Sequence, residues 1–452
     1  MDFIVSILSF ILALGILVTV HEFGHFWVAR KCGVKVLRFS VGFGKPLFTF
    51  YRKNDPTEYV VAGIPLGGYV KMLDESESQV EDSEKHLAFN NKPLFSKVLI
   101  VLAGPAFNLM FAFVIFWLVL IIGEVGLRPV IGELSKTGIA IESGLEIGDK
   151  ITAVNNHPAT IWRIASGHIM SGLLDEGKVG VTVIKPDGRV NNVQLQLVGD
   201  VMPEPSLLAQ KVGIVPVLPF VKPMLDEVIK GEAAETAGLR AGDLIISANQ
   251  KKISTWGEWV KLTRASPGKL LILEIERAGS INIIRLTPKA IIEGAETIGR
   301  IGATVFIDES IREQFNTDYS LDPISAISES ARLTVHYSWL TLKMIGRMLV
   351  GSASVDNLSG PISLAQYAGK TASIGLVSFL KFLAFVSISL GVLNLLPIPM
   401  LDGGHLFFYA IEAIRGKAVS DRVMQLSMRL GMMILMSVML LALFVDLNRV
   451  FV

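Results

Sequence analysis

Cysteine is nearly absent. Cys32 stands alone among 452 residues, which excludes an intrachain disulfide and a zinc site built from thiolates alone. Charge is scarce as well: charged residues make up 18% of the chain against 51% hydrophobic, and mean hydropathy is +0.52. So little charge excludes an ordinary soluble protein and indicates a membrane protein with a sizeable soluble part. The net charge of +1 offers no basic surplus, so no nucleic-acid partner is expected. A signal peptide's basic start is missing too. Asp2 precedes the first apolar run and no small-residue cleavage site follows it, so that run is expected to stay in the mature chain.

Four apolar stretches are long enough to cross a bilayer, which takes about 20 residues of helix. They are Phe3 to about Phe26, Val98 to Gly123, about Leu376 to Leu401, and about Leu426 to Val445. The third carries Gly391, Pro397 and Pro399, so its last turns are expected to leave regular helix. Broken backbone at membrane depth is tolerated where it lines a cavity or is buried in protein. Arg30, Lys31, Lys35, Arg38, Lys92 and Lys97 lie between the first two runs, and Arg415, Lys417, Arg422 and Arg429 lie around the last connection. This bias places residues 30–97 and 403–425 in the cytoplasm, and the long segment from 124 to 375 outside.

The first run ends in His21-Glu22-Phe23-Gly24-His25. On a helix, residues four apart share a face, so the two imidazoles can hold one zinc ion. Glu22 then stands where it can take a proton from a water that the metal activates. Chance would place such a string in roughly one chain in a few hundred of this composition. At the end of an 18-residue uncharged run, Phe3–Val20, three ionisable groups without a function would be costly. A catalytic zinc takes three protein ligands and leaves one position open. The third is sought in Asn394-Leu-Leu-Pro-Ile-Pro-Met-Leu-Asp402-Gly-Gly-His405, at the broken end of the third run. Composition leaves Asp402 and His405 about equal.

In the first connection, Val36–Phe43 and Glu58–Ile64 read as a hairpin or small sheet, interrupted by Gly42, Gly44, Gly67 and Gly68. Its role is open between lining the active site and covering the membrane surface. Asp74–Lys85 reads as a solvated acidic loop. Outside, Ser143-Gly-Leu-Glu-Ile-Gly-Asp-Lys-Ile-Thr-Ala-Val-Asn155 recurs from Ala237 to Asn249 as Ala-Gly-Leu-Arg-Ala-Gly-Asp-Leu-Ile-Ile-Ser-Ala-Asn. Two domains of about 80–90 residues fit this spacing. The pattern resembles PDZ domains of bacterial membrane and periplasmic proteases, placed at 124–205 and 206–292. Val125-Gly126-Leu127 and Val212-Gly213-Ile214 are the candidate carboxylate-binding loops by position. Whether such units bind peptide or act as spacers or steric filters stays open. Residues 293–375 hold a linker and, from Pro323 to Val350, an amphipathic stretch suited to the membrane surface or to packing on the PDZ units. His86, His157, His168 and His336 read as ordinary domain, loop or helix residues.

The HEFGH string in one span and the N-x-x-P-x-x-x-L-D-G string in a later one resemble the site-2 protease family of intramembrane zinc proteases. Tandem PDZ units between them, Ala103-Gly-Pro-Ala-Phe-Asn108 and Asn357-Leu-Ser-Gly-Pro-Ile362 extend the likeness along the whole chain. The fold so implied is a polytopic α-helical membrane protein with four transmembrane helices, the third one broken. A cytoplasmic-side membrane-associated β-hairpin and two inserted PDZ (α+β) domains complete it. The resemblance implies one zinc ion per chain on His21, His25 and Asp402, with Glu22 as general base. It places Asn394, Pro397 and Pro399 beside the substrate, and Gly42, Phe43 and Gly44 in a re-entrant hairpin that pairs with an extended substrate. An exposed strand edge around Ser40–Lys45 is the expected pairing partner. The family implies cleavage within single-span membrane proteins of a bacterial inner membrane, with the active site near the cytoplasmic face and the PDZ units periplasmic. Anti-sigma factors cut in a second step and signal-peptide remnants are the implied substrates. A non-catalytic PDZ scaffold with a structural metal, closed by His405 as fourth ligand, is the alternative.

Overall fold

A computed structural model describes residues 2–53, 55–76, 79–197, 205–293, 296–350, 360–417 and 419–451. Residues 357–359 of the Asn357–Ile362 motif lie outside this set. The chain forms two compact units, one running up to Gly123 and resuming at Ser320–Asn448, the other Glu124–Tyr319.

The first unit is helical. It comprises α1 (Asp2–Lys31), α2 (Leu94–Ile122), α3 (Pro323–Leu349), α4 (Pro361–Ile374), α5 (Leu376–Asn394), α6 (Asp402–Arg415) and α7 (Asp421–Phe451). Among the described residues, α1, α2, α5 and α7 are long and apolar enough to cross a membrane. Helices apolar all round need lipid or protein on every side. Here α2 and α5 supply the protein core, through Ala112, Ile115, Phe116 and Val119 against Ala384, Ile388 and Val392. By contrast, α7 leaves Leu426, Met433, Leu440 and Phe444 exposed.

The third apolar run departs from helix after Asn394, as its prolines require, and residues 395–401 form turns. Helix α6 then starts at Asp402 and occupies the first part of the stretch read as a cytoplasmic loop, 403–425. Helix α3 packs against α2 and α5, with Tyr337 edge-on to Phe385 at 4.7 Å and tilted against Phe116 at 6.0 Å. Asp446 of α7 is buried, and its carboxylate accepts from the backbone N–H groups of Gly360, Ile362 and Ser363 and from Ser363 Oγ. It caps the start of α4 from another helix, where lipid offers no substitute acceptor.

Strands β1 (Val36–Tyr51) and β2 (Glu58–Met72) each double back, so the expected hairpin is a sheet of four segments. Val36–Val41 lies between Gly68–Met72 on one side and Glu58–Val61 on the other, and Pro46–Tyr51 adds outside the latter. Arg38 ties the segments together, donating to Glu58 at 2.5 Å and to the Tyr69 hydroxyl at 3.1 Å. Its far end exposes Leu47, Phe48, Phe50 and Ile64.

The second unit holds two copies of one architecture. In the first copy a four-stranded sheet runs His157–Pro158, Lys150–Val154, Lys178–Ile184, Val190–Gln196. In the second it runs Lys251–Lys252, Leu244–Ala248, Leu271–Arg277, Ser280–Leu286. A helix covers each, Trp162–Glu176 and Trp256–Arg264. The repeated Gly-Asp places a buried carboxylate under the turn before the central strand. Asp149 accepts from Glu146 N–H and pairs with Lys185; Asp243 accepts from Arg240 N–H and pairs with both nitrogens of the Arg277 fork at 2.7 Å.

A two-stranded pair completes each copy, Ile131–Leu134 with Ile214–Pro216 and Leu225–Val228 with Ala303–Val305. Leu208 and Val212 belong to the first core, and Ile301 to the second. The boundary expected at 205/206 is therefore corrected to about residue 217, and the second copy runs on to about 305. Val212-Gly213-Ile214, assigned by position to the second domain, belongs to the first, where Ser135 N–H donates to the Gly213 carbonyl. Gly302, before the strand Ala303–Val305, occupies the matching place in the second copy. Val125, Gly126 and Leu127 form a strand paired antiparallel with Asn316–Tyr319.

Candidate metal centre

Helix α1 carries His21 and His25 one turn apart, and α6 brings Asp402 to them through the turn after α5. Three ligand atoms converge: His21 Nε2 and His25 Nε2 are 3.2 Å apart, and Asp402 Oδ2 lies 3.2 Å from the first and 3.5 Å from the second. Tetrahedral ligands about 2.0–2.1 Å from a zinc ion stand roughly 3.3 Å apart. The triangle has the edges of such a tetrahedron. Oδ2 of Asp402 is buried, and neither nearby imidazole is aligned to donate to it. Three electron-pair donors facing one point fit a cation.

The surroundings fix the imidazoles. His25 Nδ1 lies 2.8 Å from the Ile100 carbonyl and donates to it, leaving Nε2 free for metal. His21 Nδ1 lies 3.2 Å from the Asn108 amide of α2, whose other end is buried without a partner. Metal on Nε2 leaves Nδ1 protonated and requires Oδ1 of Asn108 to accept from Nδ1–H. Asn394, the last residue of α5, brings its amide to 3.5 Å from His21 Nε2. Gly104 explains how α2 comes so near, since a Cβ there would sit 2.3 Å from His25 Nε2.

Glu22 faces a cavity of about 590 Å³ lined also by His25, Tyr69–Met72, Asp402, His405 and Tyr409. The Val70 backbone N–H approaches the Glu22 carboxylate. Tyr69–Met72 belongs to one of the two edge segments of the sheet. Ser40, by contrast, is buried within it, with Tyr69 on one side and Val60 on the other. The free edge beside the metal is thus Gly68–Met72, where the sequence directed attention to Ser40–Lys45. Gly42 and Gly44 make the bend, and Phe43 stacks on Tyr69 with ring centres 6.2 Å apart. Pro397 and Pro399 lie in the turn between α5 and α6, and Gly431 of α7 packs directly on Pro399.

His405 stands outside the group of converging ligands. Burial holds its pKa below the ordinary histidine value, so it is a neutral imidazole on the cavity wall at pH 7. Burial first, then the charges of Glu412 and Asp74, push the Tyr409 phenol up to about 12. Sequence reasoning missed Asn108, Gly104, the Tyr69–Met72 edge and Tyr409. The first two sit in the Ala103–Asn108 string, which was visible as a motif but carried no chemistry of its own.

A model of peptidase family M50 matches residues 9–438. The regulator of sigma-E protease RseP of Escherichia coli is 42% identical over 453 residues, covering 99% of this chain and all of that one. Protease RseP of Yersinia pestis is 41% identical over 452 residues, with 99% and 100% covered. A protein of Neisseria meningitidis whose name proposes a zinc metalloprotease is 43% identical over 446 residues, with 98% and 99% covered.

Proposed function

The chain belongs to peptidase family M50, and from that premise we propose how its residues divide the work of an intramembrane zinc endopeptidase. The enzyme is a site-2-type zinc metalloprotease acting in a sigma-E pathway, as its relatives' names describe. The observation that carries the residue assignment is the His21–His25–Asp402 triangle with Glu22 beside it, three of these residues standing on α1, a helix apolar enough to span a membrane. Zinc held there supplies a Lewis acid that makes a water acidic and polarises the scissile carbonyl. Glu22 takes the proton of the attacking water and returns it to the leaving amine. The Asn394 amide, at the same centre, donates to the developing oxyanion.

A peptide bond inside a transmembrane helix must first be unwound, and lipid cannot satisfy the freed backbone groups. The free edge at Tyr69–Met72, with its Val70 N–H already turned towards Glu22, accepts an extended substrate by strand addition. The exposed aromatic end of the sheet, bent at Gly42–Phe43–Gly44, enters the bilayer. Pro397 and Pro399 hold the α5–α6 turn open as irregular backbone beside the cut. Single-span proteins of anti-sigma type are the substrates, and signal-peptide remnants a further class. The basic-residue bias puts the metal near the cytoplasmic face of the inner membrane and the two repeats, read as PDZ domains, in the periplasm. There they exclude substrates with bulky outer parts, or bind peptide, the first repeat at Val212–Ile214. The scaffold reading is not favoured, because His405, its fourth ligand, stands apart from the triangle.

Purified wild type and Glu22→Gln are compared on a single-span substrate with a short outer segment. Cleavage within the span by wild type alone is the expected result. Equal cleavage by both would remove Glu22 as the base.

A further inference from the structure

We propose that one face of α6 reads two alternate side chains of the substrate, His405 the one nearer the cut and Tyr409 the next. This rests on the protease reading above and adds a specificity device to it. Asp402, His405 and Tyr409 are spaced three and four apart, so they share one face of the helix. All three line the same cavity as the Tyr69–Met72 edge. Along a helix axis the step from residue 405 to 409 is about 6 Å. Along an extended peptide, side chains on the same side recur every 6.6 Å or so. A substrate paired with the edge strand therefore presents alternate side chains to α6 at nearly the pitch of His405 and Tyr409.

The chemistry of the wall follows from what these residues lack. Among the described residues, no side-chain hydrogen bond or ion pair engages His405 or the Tyr409 hydroxyl. Both are half-buried polar tips, and closing a peptide over them without a partner would strand them. Small hydrogen-bonding side chains (serine, threonine, asparagine) satisfy them, whereas leucine does not. The cavity wall also carries Lys71 and Asp74. There the bound segment meets charge, as a chain leaving lipid does.

The test uses full-length protein in detergent and a synthetic leucine-rich single-span peptide. Serine replaces leucine at one position at a time around the cut, and products are located by mass spectrometry. In wild type, serine raises kcat/KM at two positions that are two residues apart. Tyr409→Phe, which removes only the hydroxyl, lowers the serine-over-leucine ratio about tenfold at the farther position, through KM. His405→Leu does the same at the nearer one, with zinc content by elemental analysis kept at one per chain. Unchanged ratios in both variants, or shifts at positions an odd number of residues apart, would overturn the proposal. So would loss of zinc in His405→Leu, which would make it a ligand. Cleavage by Glu22→Gln at the wild-type rate would instead sink the protease assignment, and so separates the two failures.

Discussion

A single added methyl group at Gly104 tests the metal centre more sharply than removing a ligand. A Cβ there would lie 2.3 Å from His25 Nε2, 2.6 Å from His25 Cε1 and 2.7 Å from His21 Cε1, where ordinary contact begins at 3.4 Å. The His25 ring must therefore retreat by about 1 Å, since repulsion rises steeply inside contact distance. It has little freedom to do so, because Nδ1 is held by the Ile100 carbonyl at 2.8 Å. Metal sites tolerate about ±0.2 Å in ligand distance, and a misplacement of about 1 Å costs roughly 100-fold in rate. Gly104→Ala should thus lose zinc, measured by elemental analysis after purification, and at least about 100-fold in cleavage of a single-span substrate. Helix α2 itself is not put at risk, because alanine is favoured over glycine in a helix by about 1 kcal/mol. Far-ultraviolet dichroism should be unchanged. A Gly104→Ala enzyme with full zinc and near wild-type rate would refute the close approach of α2 to the imidazoles.

Asn108→Leu should lower zinc affinity about 10–100-fold in a chelator competition, as loss of an outer partner to a ligating histidine does; unaltered affinity would remove Asn108 from that role. Asp243→Ala breaks the two-pronged contact with Arg277 and should destabilise the second repeat by about 3 kcal/mol. Asp149→Ala, whose lysine partner lacks the fork, should cost less in the same denaturant titration; the reverse order would sink this account of the Gly-Asp motif. Burial pushes Asp55 up, but Thr57 N–H, Arg30 and the Tyr59 hydroxyl outweigh it and hold its carboxyl at about 2 against an ordinary 3.8. A depressed value means stability present above pH 3.8 and lost as pH falls towards 2. Asp55→Asn should therefore be less stable than wild type at pH 7, by up to about 2 kcal/mol, with the gap closing between pH 4 and 2. A gap that persists at pH 2 would rule out the carboxylate as its source.

The legible parts of this chain were local ones. Two histidines four apart at the end of an uncharged run declare their geometry without knowledge of the fold, and the prolines after Asn394 announce the break. What was hidden depends on partners distant in sequence. Ile131–Leu134 finds its strand at Ile214–Pro216, so no local signal marks the end of the first repeat, and the Gly213 loop was given to the wrong copy. Helix α6 opens with Asp402-Gly-Gly, poor helix formers, and forms because its apolar face packs against α2. The sheet edge at Tyr69–Met72 was missed for a different reason. Pattern identifies strands, but which strand ends up outermost is decided by β1 and β2 folding back on themselves.

The carboxylate of Asp446 sets an order on the making of this protein. It lies 86 residues after Gly360, whose amide it receives. At a synthesis rate of 5–20 residues per second, the first amides of α4 wait about 4–17 s for an acceptor to be made. Until then water has to serve them, so the start of α4 stays at a wet interface while α5 and α6 are still being made. The arrival of α7 ends that wait. A ribosome stalled before residue 446 would hold a chain that carries all three zinc ligands but leaves the first amides of α4 without their acceptor.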